Sequence, residues 1–144
     1  MRFTRYTDYA FRVLTYLAVK PPGDRATIKE IAEAYAISEN HLMKIIHQLG
    51  QRGFVETVRG RQGGLALARE PAAINLGAVV RACEEDMALV ECFDPATNHC
   101  RIAPACNLTG IAHEALDAFL AVFDRYTLAD LAVPQSQLRA SLSF

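Results

Sequence analysis

The chain has 144 residues, of which 51% are hydrophobic and 22% charged, so it can bury the core of one domain with an appendage and is too apolar for a disordered protein. No apolar run approaches the roughly 20 residues that cross a bilayer, and Arg5 and Asp8 interrupt any signal-peptide core, so we expect a cytoplasmic protein without a membrane span. Residues 1–69 carry a net charge of +5 and residues 70–144 a net charge of −6, which favours phosphate contact by the first half; a chance distribution of solvated charges is the alternative.

Three helices are predicted at the start of the chain. Apolar residues at helical spacing indicate the first, and a Pro-Pro-Gly run stops it. Thr27 and Glu30 form a capping box that opens the second, and Ser38 is a good N-cap for the third. The predicted helices are Arg5–Lys20, a short helix that ends near Ala36, and Glu39–Arg52.

The second and third helices, joined by a tight turn, are typical of a helix-turn-helix. In such motifs the N-terminal residues of the second helix reach base edges in the major groove. This pattern nominates four DNA-binding residues: Ser38, Asn40, His41 and Lys44. The alternative is a polar face that is only solvated.

The segment from Gly53 to Arg69 predicts a β-hairpin with a glycine-rich tip, which would be the wing of a winged helix. The tip contains Arg59, Arg61 and Gln62 on a backbone that its glycines allow to approach DNA closely. A purely structural hairpin has little need for two arginines at its tip. We therefore predict that these three residues contact DNA.

A fourth helix is predicted from Ile74 to about Glu85, with Cys83 on its apolar face as a core residue rather than a ligand. The segment that follows, ECFDPATNHCRIAPAC from 91 to 106, holds the other three cysteines. Its two prolines disfavour a helix and its Asp and Asn residues favour turns, so we predict a loop.

This loop can bring three sulfurs to one inorganic centre. Seven residues separate Cys92 from Cys100, and five separate Cys100 from Cys106. The spacing matches neither the Cys-x-x-Cys pairs of zinc ribbons nor a ferredoxin run. Metal or cluster binding, redox thiols and inert thiols therefore all stay open from spacing alone.

A long helix is predicted from about Leu108 to Tyr126, with an apolar arc too wide for one domain to cover. A second copy is the expected cover, and a two-fold dimer would present two recognition helices to a palindromic site. The alternative is burial against the chain's own winged domain. After Pro134 we expect a flexible tail.

Three segments, ISENHLMKIIHQLGQRGFVETVRGRQGG, the cysteine loop and DRYTLADL, resemble the NsrR/IscR family of iron-sulfur winged-helix transcription regulators, and within it the nitric-oxide-sensing repressors. The similarity covers about residues 1–133. It implies a homodimer that binds double-stranded DNA and represses genes while its cluster is intact, with nitric oxide as the signal. It also implies a protein that is not an enzyme.

The resemblance implies that Cys92, Cys100 and Cys106 bind the cluster, a [4Fe-4S] or alternatively a [2Fe-2S] centre. Asp8 matches the position from which some members take a fourth ligand across the subunit boundary. An acid in the first turn of a helix also favours the helix dipole, so the role of Asp8 stays open. His99 and His113 are further candidate ligands, and Thr109 stands where other members carry a histidine.

The predicted fold is mainly α with a small β-hairpin, a winged helix-turn-helix followed by a long C-terminal dimerisation helix. The domains are 1–85 for DNA binding, 86–107 for the cluster, 108–133 for dimerisation and 134–144 for the tail. Three alternative functions remain: a cluster-assembly or iron-responsive regulator with a two-iron cluster, a thiol-redox or electron-transfer protein, and a DNA-binding protein with structural zinc.

Overall fold

Three helices and a hairpin make up the first half of a computed structural model that describes residues 2–60 and 63–144. The elements are α1 (Arg5–Val19), α2 (Ile28–Tyr35), α3 (Glu39–Gln51), β1 (Val55–Val58) and β2 (Gly64–Leu67). The strands pair antiparallel, with Val55 opposite Leu67 and Val58 opposite Gly64. The predicted winged helix-turn-helix is confirmed.

Side-chain caps fix where these helices begin. Thr27 and Glu30 form the predicted capping box at α2, and the hydroxyl of Ser38 accepts a hydrogen bond from the His41 backbone N–H at 3.3 Å. Between α2 and α3, Ala36 takes a left-handed conformation with φ of 53°. This residue turns the chain sharply enough for α3 to cross α2 and leave one face outward.

The core of the DNA-binding half lies between α1, α3 and α4 (Leu76–Cys83). Leu14 of α1, Leu42 and Leu49 of α3 and Val79 of α4 are all fully buried or nearly so. Burying each such side chain contributes about 1.5–3 kcal/mol. This packing holds α3 rigidly on α1, so the outward face of α3 is a fixed surface.

The second half is a loop and three helices. The loop between α4 and α5 (Leu108–Asp124) contains two short 3₁₀ turns, Glu91–Phe93 and Ala103–Ala105. After α5 come α6 (Leu128–Leu131) and α7 (Gln135–Ser141). Of the α5 side chains, only Ala112 and Leu120 are buried, whereas Leu108, Ile111 and Val122 are exposed.

The C-terminal end of α5 is tied to α4 and to the residues just before it. Arg81 donates two hydrogen bonds to the Asp124 carboxylate, at 2.6 and 2.7 Å. The Asn75 side-chain amide donates to the Asp124 backbone carbonyl at 2.7 Å, and the Leu128 N–H donates to the Ile74 carbonyl at 2.8 Å. The dimerisation helix predicted from sequence is therefore joined to the winged domain by several specific bonds.

An aromatic cluster gives α5 a second contact with the winged domain. Phe3, before α1, lies 5.7 Å from the ring of Phe119 and 5.5 Å from that of Phe123. Phe11 of α1 stacks on Phe123 at 6.4 Å. One side of α5 is thus covered by the winged domain of its own chain, which was the alternative to dimerisation. The other side is left exposed.

The prediction of a flexible tail after Pro134 is wrong for most of this segment, because it forms α7 and packs on α1. Arg139 donates from Nε to the Val19 carbonyl at 2.6 Å, and the Phe144 ring lies 4.8 Å from that of Tyr16. These contacts hold a segment that looks polar and unstructured in sequence. Among the residues that the structure describes, no helix combines the length and the apolar character of a membrane span.

Candidate DNA interface and cysteine loop

The outward face of α3 carries the predicted base-reading residues. Asn40, His41 and Lys44 are exposed, and Ser38 is exposed while its hydroxyl caps the helix. Met43, which sequence reasoning missed, is 47% exposed on the same helix. A thioether at this position is able to contact a thymine methyl group. The sequence signal for Met43 was a large apolar side chain at a helical position that faces solvent.

The wing presents Arg59 at its described end. Arg59 is exposed, and Gly60 adopts φ of 111° while its carbonyl accepts a hydrogen bond from Gly63 at 2.9 Å. A positive φ of this size strains any residue with a Cβ, so the glycine allows the tight tip. Arg61 and Gln62, the other predicted contacts in the wing, lie outside the described residues.

The three loop cysteines are free thiols, each half-buried. The Cys92 sulfur lies 2.9 Å from the Thr109 hydroxyl oxygen, and the Cys106 sulfur accepts a hydrogen bond from the Leu108 N–H at 3.4 Å. Thr109 and Leu108 form the first turn of α5. Two of the three sulfurs therefore lie at the start of the long helix.

The turn-forming residues of the loop act as predicted. The Asp94 carboxylate accepts hydrogen bonds from the Ala96 N–H and the Thr97 hydroxyl, and these bonds lower the pKa of Asp94. The Asn98 side chain accepts from the Cys100 N–H at 2.9 Å. Local side-chain bonds, rather than burial, shape this segment, which is consistent with a loop that can change conformation.

Cys83 differs from the loop cysteines. It is 4% exposed, and burial, together with the charge of Glu84, raises its pKa to about 11. At pH 8 only about one Cys83 thiol in a thousand would be ionised, so it is an unreactive core side chain. The prediction that Cys83 belongs to the core is confirmed.

The other candidate ligands have neighbours of their own. Asp8 is exposed and accepts a hydrogen bond from Arg12 at 2.8 Å, and the ring of His113 stacks on Phe93 at 3.9 Å. Among residues 2–60 and 63–144, no group of three or more His, Cys, Asp or Glu side chains is gathered in the manner of a metal site. Free thiols on one loop fit an iron-sulfur cluster by their chemistry, and the loop would have to rearrange to bring them together around one.

Three comparisons bear on this surface. The Rrf2 family, described as iron-dependent transcriptional regulators, matches residues 3–134. A protein from Shouchella clausii named HTH-type transcriptional regulator NsrR is 49% identical over 144 residues, which cover 100% of this chain and 97% of the relative. A protein of the same name from Bacillus subtilis is 56% identical over 131 residues, which cover 91% of this chain and 90% of the relative.

Solved structures agree with the fold. CymR, the global cysteine regulator of B. subtilis, superposes with a TM-score of 0.70 at 29% identity over 92% of this chain and 96% of that one. IscR of T. potens superposes with a TM-score of 0.73 at 27% identity over 91% of this chain and 85% of that one. Both superpose on about nine-tenths of this chain, so both share the winged helix followed by further helices.

Proposed function

Because this chain belongs to the Rrf2 family of transcriptional regulators, which are not enzymes, we propose that it is a homodimeric repressor that senses nitric oxide through an iron-sulfur cluster. It would act in the cytoplasm, where its DNA target lies. The observation that carries the proposal is the position of the loop thiols: Cys92 and Cys106 contact the first turn of α5, the helix that leaves an apolar side uncovered.

DNA recognition would use both α3 and the wing. Asn40, His41 and Lys44 would read base edges from α3, with Ser38 at its cap, while Arg59, Arg61 and Gln62 would contact the backbone or the minor groove. The exposure of the α3 residues and of Arg59 supports this division. An Asn side chain can pair bidentately with adenine, whereas an arginine on a phosphate adds affinity without sequence choice.

Dimerisation would cover the exposed side of α5. Leu108, Ile111 and Val122 are 52%, 61% and 43% exposed, and a row of large apolar residues along one helix is the usual mark of a protein interface. In a two-fold dimer each α5 would pack against the other, and the two α3 helices would face the two halves of a palindromic operator.

Cys92, Cys100 and Cys106 would hold the cluster, either [4Fe-4S] or [2Fe-2S], with Asp8 of the partner subunit as the fourth ligand. Such a group, bound by three thiolates and one weak oxygen ligand, supplies an iron atom that reacts with nitric oxide. For this role Asp8 would exchange Arg12, its present partner, for the cluster. The Asp8 and Arg12 side chains are 49% and 43% exposed, so their ion pair costs little to break.

The chain itself would transmit the signal through α5. With the thiols free, the Cys92 and Cys106 sulfurs contact the first turn of α5. Gathering the three thiolates on one centre would change these contacts, release would restore them, and the Arg81–Asp124 junction would carry the change in α5 to α4 and the winged domain. When both recognition helices fit their half-sites, binding of one raises the effective concentration of the other at its own half-site. If the two helices no longer match the spacing of the half-sites, this gain is lost and the affinity for DNA falls.

Alanine substitution of each loop cysteine tests the ligand assignment. We expect Cys92→Ala, Cys100→Ala and Cys106→Ala to lose the visible absorption, iron and acid-labile sulfide of protein purified without oxygen. Cys83→Ala is the matched control and should keep all three, because Cys83 is buried in the core. Retention of colour in all three loop variants would refute the assignment, and zinc in place of iron would favour a structural metal.

A second candidate is a regulator that responds to iron supply or cluster assembly through a two-iron cluster. It is favoured by the family description as iron-dependent and by the structural similarity to IscR. The absorption and electron paramagnetic resonance spectra of the same preparation distinguish the two cluster types. Reaction of the cluster with nitric oxide then distinguishes the two signals.

A further inference from the structure

A groove of about 270 Å³ separates the start of α1 from the outward face of α3. It is lined by Arg5, Tyr6, Tyr9, His41, Lys44 and Ile45. The groove therefore joins two of the proposed base-reading residues to the first turn of a different helix. Among the residues that the structure describes, no carboxylate lines it.

Two of the α1 residues in this groove already have internal roles. The Tyr6 hydroxyl donates to the Ile45 backbone carbonyl at 3.5 Å, and burial raises the pKa of Tyr6 to about 12, so it stays a neutral donor that holds α1 against α3. Tyr9 lies beneath the Arg12 guanidinium, 5.5 Å from its ring centre. These two rings form a fixed wall beside Arg5.

Arg5 itself is exposed, and within the described part of the chain its guanidinium has no hydrogen-bond or ion-pair partner. Asp8, the nearest acid along α1, is already bonded to Arg12 at 2.8 Å. A guanidinium that has no partner and sits beside a basic helix face is available to an anion from outside the molecule.

The dimensions of DNA indicate which anion meets it. The major groove is about 12 Å wide, and a helix with its side chains is about 10–12 Å across, so α3 would fill the groove from wall to wall. A side chain packed alongside α3 on a neighbouring helix then faces a wall of the groove, which is the phosphate backbone. Arg5 occupies that position relative to His41 and Lys44.

We propose that Arg5 binds a backbone phosphate at the edge of the major groove and so fixes the depth and register of α3. This inference rests on the proposed role of α3 as the recognition helix. A phosphate contact of this kind positions the protein and carries no sequence information. Arg5 thereby adds a DNA contact from outside both the helix-turn-helix and the wing.

The test compares Arg5→Ala with Arg5→Lys and with Arg125→Ala, which removes another exposed arginine at the end of α5. Two 30-base-pair duplexes serve as probes, one selected from a random pool by the wild-type protein and one with the same bases scrambled. Fluorescence anisotropy over a series of salt concentrations gives the affinity and its salt slope. Circular dichroism checks that each variant is folded.

We expect Arg5→Ala to make the log–log salt slope shallower by about 0.9 for each bound subunit on both duplexes, with roughly a tenfold loss of affinity per contact at 0.1 M salt. Arg5→Lys should keep the slope, and Arg125→Ala should match the wild type. If the wild type binds and Arg5→Ala has the slope of Arg125→Ala, the inference fails and the proposed function stands. If selection with the wild type enriches no duplex from the random pool, the proposed function fails.

Discussion

Individual side chains on the outward face of α3, the proposed DNA-facing surface, divide into those that stabilise the fold and those left free to contact another molecule. The Ser38 hydroxyl caps α3, so Ser38→Ala would cost about 1 kcal/mol of stability whether or not DNA is bound. Asn40 is exposed and makes no such bond among the described residues. Asn40 is therefore the cleaner probe of base reading.

We expect Asn40→Ala to lower affinity for the selected duplex by roughly tenfold or more and to leave affinity for the scrambled duplex unchanged, because a bidentate base contact contributes about 1–3 kcal/mol of discrimination. Arg59→Ala should weaken binding to both duplexes equally. Anisotropy titrations of the two variants measure both effects. Equal losses for Asn40→Ala on the two duplexes would count against base reading by α3.

At the scale of single residues, the sequence predicts whether a side chain is exposed or buried better than it predicts which residues that side chain contacts. Helical periodicity placed Asn40 and Lys44 outward and Cys83 inward, and the structure agrees. Periodicity gives no information about the groove beside Arg5, because that groove depends on how α1 lies against α3. For the same reason the stack of His113 on Phe93 could not be predicted.

Helix α5 is the element on which the proposed signal depends, and it is anchored at both ends. Its first turn contacts two loop sulfurs, and Asp124 at its last turn pairs with Arg81 of α4. The Arg81 guanidinium lowers the pKa of Asp124, so the contribution of this pair is fully present above the ordinary value of 3.8 and is lost as pH falls through the lower folded value.

Gly77 offers a test of this junction, because a Cβ at that position would overlap the Asp124 carboxylate. We expect Gly77→Ala to displace Asp124 from Arg81 and to lower the melting temperature. In an Asp124→Ala background the nearest atom to the new Cβ would be the Arg81 Nη1, at 2.8 Å, and that flexible side chain is then free to move aside. The same change should there stabilise the protein by up to about 1 kcal/mol, since alanine is the better helix former. Thermal unfolding of the single and double variants measures the difference.

The same sign for Gly77→Ala in both backgrounds would contradict this account of the junction. The comparison uses only stability, so it is independent of the cluster and of DNA. Unfolding at low pH provides a second test. The Asp124→Ala variant should lose less stability than the wild type as pH falls below 3.8, because it lacks the Arg81–Asp124 ion pair that protonation of Asp124 breaks.

The starts of the helices could be predicted from capping residues nearby in the sequence, whereas the contacts between helices could not. Thr27, Glu30 and Ser38 mark helix starts within three residues of themselves, which a sequence displays directly. The pairing of Arg81 with Asp124 spans 43 residues, and that of Arg139 with Val19 spans 120. No local pattern encodes such pairs, which is why the sequence predicts a flexible tail where the structure has α7.

The whole molecule has a basic DNA-facing half and an acidic half that carries the thiols and the uncovered helix. Sequence charge showed this division, with +5 in residues 1–69 and −6 in residues 70–144. The two halves meet where α4 packs in one core with α1 and α3, and at the aromatic cluster around Phe3. A change in the loop could therefore reach the recognition helices through α4, which the loop follows directly in the chain, through α5 or, in the proposed dimer, through Asp8 of the partner subunit.

The most direct measurement is the dissociation constant for the selected duplex, determined without oxygen on full-length protein of known iron content, before and after nitric oxide is added. The account predicts that the dissociation constant rises about a hundredfold, equivalent to a coupling of about 3 kcal/mol. Protein with Cys92→Ala should bind weakly from the start and show no response. An iron-loaded wild-type protein whose affinity is the same with and without nitric oxide would contradict the account.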